Sequence, residues 1–82
     1  MTEQNEMPVL LDFFKALADE NRLKIIGLLA QQPASVEALA ETLKLSVSTV
    51  SHHLARLSKS GLVSARAEGH YAIYALNSDK LR

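Results

Sequence analysis

A chain of 82 residues, 48% apolar and with nine basic against nine acidic side chains, is one small domain. It is too apolar for a disordered tail and sits near the lower size at which a core sustains itself. It contains no cysteine, so neither disulfides nor thiolate-bound zinc staple it, and helix packing, a partner subunit or both must supply stability.

The start, Met1-Thr2-Glu3-Gln4-Asn5-Glu6-Met7, is polar and acidic, the opposite of a signal peptide. Charges interrupt every apolar stretch short of the roughly eighteen residues a membrane span requires. A cytoplasmic protein with no membrane partner is expected. The neutral total conceals a polarity: residues 1–43 hold three basic and seven acidic side chains, residues 44–82 six basic and two acidic. Only the C-terminal half is suited to face a polyanion.

Pro8 fits the first turn of a helix, which makes residues 1–7 a flexible N-terminus. Leu10, Phe13, Phe14 and Leu17 then share one face, and Val9 and Leu11 add apolar surface off it. Two readings stand here: a frayed helix start with exposed aliphatics, or a subunit contact through Val9, Leu11, Phe13 and Phe14. Asp19 fits the N-cap of a second helix in which Leu23, Ile25, Ile26, Leu28 and Leu29 surround most of the circumference. That predicts a central, buried helix ended by Gln31-Gln32-Pro33.

Ser35 caps a third, short helix with Val36, Leu39, Ala40 and Leu43 at i, i+3, i+4, i+7. Lys44-Leu45-Ser46 leaves about three residues before Ser46 caps a fourth helix. Two short amphipathic helices joined so tightly must cross steeply, as in a helix-turn-helix. Lys44 occupies the place where such turns usually carry glycine, so it must accept an unfavourable backbone or a different turn. On the fourth helix Val50, Leu54 and Leu57 converge on one face, with Val47 and His53 on its flanks. The opposite face presents Ser48, His52, Ala55 and Lys59, flanked by Thr49, Ser51 and Arg56.

No residue from Leu45 to Leu62 is acidic, whereas an ordinary solvated face would alternate glutamate and lysine. Small residues let a backbone approach the major groove, and hydroxyls, imidazole and guanidinium can meet base edges and phosphates. Gly61 then ends the helix. Leu62-Val63-Ser64-Ala65-Arg66 and Tyr71-Ala72-Ile73-Tyr74-Ala75-Leu76 read as two strands around Ala67-Glu68-Gly69-His70. The order predicts a mainly α winged helix-turn-helix with a β-hairpin wing over residues 8–82. The candidate DNA contacts are Ser35, Ser46, Ser48, Thr49, Ser51, His52, Arg56 and Lys59, joined on the wing by Arg66 and His70. For His70 a solvated turn residue is an equal reading.

Leu17-Ala18-Asp19-Glu20-Asn21-Arg22-Leu23-Lys24-Ile25-Ile26 resembles the entry to the second helix of the ArsR family of repressors. Leu45-Ser46-Val47-Ser48-Thr49-Val50-Ser51-His52-His53-Leu54 closely resembles their recognition helix. Gly61-Leu62-Val63, Glu68-Gly69 and Tyr74-Ala75-Leu76 resemble their wing. The resemblance implies a homodimer that binds double-stranded DNA at a near-palindromic operator, blocks transcription and releases DNA when an effector binds. Ser64, Ala67 and Ala75 depart from the arginine-rich wing of such proteins, which implies weaker phosphate anchoring. The family usually continues into a last helix that packs in the dimer, and Ser78-Asp79-Lys80-Leu81-Arg82 resembles its opening turn. A piece of a longer protein is therefore expected.

Family members sense metals through cysteines or through ligands on the last helix. Here His52 and His53 diverge by about 100° on the helix and cannot chelate one ion, so no metal and no cofactor is expected. His53 is expected to pack inward and His52 to meet DNA. Nor does an enzyme fit, for want of a nucleophile with a base, a glycine-rich phosphate loop or a carboxylate cluster. The rival is a winged helix used only for protein–protein interaction, which would carry exposed aromatics or leucines on the groove face.

Overall fold

The computed structural model describes residues 2–77. In chain order they form α1 (Thr2–Leu17), α2 (Glu20–Gln31), β1 (Ala34–Ser35), α3 (Val36–Leu43), α4 (Val47–Lys59), β2 (Val63–Glu68) and β3 (Tyr71–Leu76). The expected opening turn at 78–82 lies outside the described residues.

The first helix begins earlier than its sequence indicates. Pro8 lies inside α1 and not at its opening, so the boundary expected between residues 7 and 8 falls within the helix. Proline there removes one i→i−4 hydrogen bond and crowds the carbonyl four residues back, at about 3 kcal/mol for a helix interior. The inward face of α1 is also rotated from the expected one. Phe13, Ala16 and Leu17 pack on the core, whereas Leu10 and Phe14 are 44% and 66% exposed. Met7, Leu10, Leu11 and Phe14 follow i, i+3, i+4, i+7 and form an exposed stripe about 100° around the helix from the core face.

One core joins every helix. Ala16, Ile25, Leu29, Leu39, Ala40, Val50, Leu54, Leu57, Leu62 and Val63 are buried together, each larger aliphatic contributing about 1.5–3 kcal/mol by leaving water. The second helix is less enclosed than its composition predicts: only Ile25 and Leu29 are fully buried, Ile26 and Leu28 are partly covered, and Leu23 is 53% exposed. A domain this small lacks the layers to surround a helix on all sides.

The helix ends follow the capping chemistry read from the sequence. The Asp19 carboxylate accepts from the backbone N–H groups of Asn21 (2.8 Å) and Arg22 (3.1 Å). Ser35 Oγ accepts from Ala38 N–H and Ser46 Oγ from Thr49 N–H, each at 3.1 Å. At the end of α3 the Leu45 amide donates to Ala40 and the Lys44 amide to Glu41; at the end of α4 Leu62 donates to Leu57 and Gly61 to Ser58. Both pairs are Schellman closures around a left-handed residue. Gly61 adopts φ 83° freely, while Lys44 takes φ 59°, ψ 44°, at roughly 1–2 kcal/mol for a residue with a Cβ. The following leucines, Leu45 and Leu62, both pack on the core, and this fixes the steep turn between α3 and α4.

The sheet has a third strand that the sequence reading missed. Its order is β1-β3-β2, with Ala34 opposite Tyr74 and Ser35 opposite Ile73. Two residues carry no periodicity from which a strand could be read. The hairpin is also tighter than expected: Ala67 pairs with Ala72 and Glu68 with Tyr71, leaving Gly69-His70 as the loop. Positive φ falls on Gly69 (62°) and not on His70, as in a type II′ turn.

Candidate nucleic-acid interface

Helix α4 divides cleanly into two faces. Val50, Leu54 and Leu57 are buried with His53, while Ser48, Thr49, Ser51, His52, Ala55, Arg56 and Lys59 are exposed. Val47, expected on the inner flank, is 45% exposed at the first turn. It precedes the first buried position of the helix, Val50, by three residues.

The hydroxyls are not equivalent. Ser46 Oγ accepts from the Thr49 amide, donates to Thr49 Oγ1 at 2.8 Å and lies 3.2 Å from Ser48 Oγ. Its capacity is spent on the cap. Ser35 Oγ accepts from the Ala38 amide, and this residue is half-buried in β1. Both are expected as DNA contacts, and the hydrogen bonds show that each also caps a helix start. By contrast, the side chains of Ser51 and His52 make no hydrogen bond among the described residues and stand open on the first turns.

His53 completes a linkage that ties α4 to the α1–α2 junction. Arg22 donates through Nε to the Ala16 carbonyl, through Nη2 to the Lys15 carbonyl (3.4 Å), and through Nη1 to His53 Nδ1 (3.3 Å). A guanidinium can only donate, so this bond places the ring's lone pair on Nδ1 and a proton on Nε2. Nε2 in turn faces the Asp19 carboxylate at 4.0 Å. The Arg22 and Asn21 amides, with the Arg22 charge nearby, hold the Asp19 carboxyl below its usual value of 3.8 against desolvation. His52 lies outside this network, its ring centroid 6.3 Å from that of His53 and tilted by 58°.

Arg56 and Lys59, in the last turn of α4, line a cleft of about 320 Å³ with Asp12, Lys15 and Ser60. On the wing, Arg66 is exposed but donates to Glu68 Oε2 through Nε (3.1 Å) and Nη2 (2.9 Å). His70 is exposed in the hairpin loop. Of the residues expected at a subunit contact, Val9, Leu11 and Phe14 are exposed and Phe13 packs on the core. The sequence reading passed over Arg22 and Lys15, because no local spacing links either to α4.

Three packed helices, a steep turn, an acid-free exposed helix and a hairpin together define a winged helix-turn-helix domain of the kind found in transcriptional regulators. The profile of "Bacterial regulatory protein, arsR family" matches residues 19–65, and the chain belongs to this family. It is 41% identical over 68 residues to the transcriptional activator HlyU of Vibrio cholerae, covering 83% of this chain and 63% of that protein. To the transcriptional repressor SmtB homolog of Synechocystis it is 43% identical over 65 residues, 79% of this chain and 49% of that one. Among solved structures, a homodimeric winged helix-turn-helix DNA-binding domain from Mycobacterium bovis superposes with a TM-score of 0.88 at 34% identity, over 96% of this chain and 73% of that one. The chain thus spans less than two thirds of the length of HlyU. No described helix is long and apolar enough to cross a membrane.

Proposed function

We propose that this domain is the operator-reading part of a homodimeric, cytoplasmic transcriptional repressor without catalytic activity. It binds a near-palindromic operator in double-stranded DNA and lets go when an effector binds. The observation that carries this reading is the exposed face of α4: small, hydroxylated and basic, without an acidic side chain, and set at a fixed angle by the left-handed Lys44. Ser48, Thr49, Ser51 and His52 face the base edges, Arg56 and Lys59 the phosphates, and Arg66 and His70 the backbone beside the wing. The exposed stripe on α1, together with Val9, provides the subunit contact. Protein docking through the groove face is disfavoured, since Val47 alone of its large apolar side chains is exposed there.

Selection of the chain on random duplexes tests this. An inverted repeat with half-sites about one helical turn apart should emerge, and affinity should fall linearly on a log–log plot against salt as counterions are released. Enrichment of no repeat, together with salt-independent binding, would refute the proposal.

A further inference from the structure

Beyond the first turns of α4, the structure brings cations from two separate elements around one open space. Lys15, in the last turn of α1, and Arg56 and Lys59, in the last turn of α4, line the 320 Å³ cleft with Ser60. Asp12 is the single carboxylate there, so the cleft is net cationic. The ion pairs among the described residues are Lys24–Glu20 and Arg66–Glu68, beside the 4.0 Å His53–Asp19 contact, and none of them involves Lys15, Arg56 or Lys59. Cations near helix C-termini complement the helix dipole, but that effect acts on each helix alone and does not account for their convergence.

Position along α4 identifies what the cleft meets. Ser48, His52, Ala55 and Lys59 follow i, i+4, i+7, i+11 and share one face. Lys59 therefore lies about 16 Å along the helix axis from Ser48, and a recognition helix meets base edges through its N-terminal residues. Its last turn is then set back from the bases, toward the sugar–phosphate rail. We infer that the cleft between α1 and the end of α4 seats a phosphodiester of the operator backbone, with Lys15 carrying the contact from α1. This rests on the DNA-binding reading above. The Lys and Arg charges supply the attraction, Ser60, whose hydroxyl donates to the Arg56 carbonyl, lines the wall, and Asp12 weakens the site.

The test measures anisotropy of a labelled operator duplex against salt, with melting temperature as the folding control. Lys15→Gln should bind about five- to tenfold more weakly near 0.1 M salt and flatten the log–log slope by about 0.9, while Asp12→Asn should tighten binding. A neutral methylphosphonate placed at one phosphate per half-site should weaken the wild type by more than it weakens Lys15→Gln, which keeps only Arg56 and Lys59 at that phosphate. If the wild type binds and Lys15→Gln keeps the full slope, the inference is wrong and the DNA reading survives. If the wild type binds no duplex, the DNA reading itself fails. A second arm titrates the chain alone with phenyl phosphate and follows Lys15, Arg56 and Ser60 by NMR. Weak shifts, appearing only above roughly 10 mM, support the backbone assignment; saturation below about 1 mM would reassign the cleft to a small phosphate ester and overturn it.

Discussion

His52 and His53 leave α4 about 100° apart and meet opposite surroundings, one open to solvent, the other buried against Arg22 and Asp19. His52→Ala should leave the melting temperature unchanged, cost on the order of 1–3 kcal/mol of operator binding and relax one position of the site. His53→Ala should do the reverse, destabilising the fold by about 1–3 kcal/mol because Arg22 loses its acceptor in a partly buried place. Melting curves beside binding isotherms on intact and scrambled operator decide this, and equal losses for both variants would sink the assignment. Asp19 adds a pH dependence. Its folded carboxyl titrates below the unfolded value of 3.8, so the stability it contributes is present above that value and is lost as pH falls through the folded one. Asp19→Asn keeps a competent cap and should flatten the fall of melting temperature below about pH 4 relative to wild type. An unchanged acid limb would rule out this source.

At the scale of elements, α1 carries more apolar surface than the core receives. Met7, Leu10, Leu11 and Phe14 remain uncovered on the side away from Phe13, Ala16 and Leu17. A self-complementary contact through this stripe is the economical cover, since a twofold places the same residues against each other. Leu11→Glu should therefore raise the dimer dissociation constant at least about tenfold, read by sedimentation across a hundredfold dilution. A dimer insensitive to Leu11→Glu would place the contact elsewhere. The caps at Asp19, Ser35 and Ser46 were legible because capping is local chemistry between neighbours. The rotation of α1 was not, since Leu10, Phe13, Phe14 and Leu17 satisfy helical spacing equally well and only the position of α2 selects among them.

For the molecule as a whole, element order and the acid-free exposed face of α4 could be read directly, because amphipathic period, caps and turn length all agree. What stayed hidden depends on contacts between distant segments. Arg22 reaches His53 across 31 positions, β1 exists only because β3 lies beside it, and Lys15 belongs by sequence to the acidic half yet sits with Arg56 and Lys59. The charge polarity of the chain is therefore real but incomplete as a guide, since folding carries one cation across it.

Ser35 is held twice, by its pairing with Ile73 in the sheet and by its hydroxyl at the start of α3. The base of the wing is thereby bolted to the helix-turn-helix, while the tip, from Ala67 to Ala72, is exposed and held through its own hairpin. Substitutions therefore meet unequal surroundings along the same two strands: those at Ile73 and Tyr74 disturb the pairing with β1, whereas those around the Glu68–Tyr71 pair and His70 alter only the exposed tip. The tip can therefore change its chemistry without moving the paired helices α3 and α4, which under the proposed function decide which site is bound.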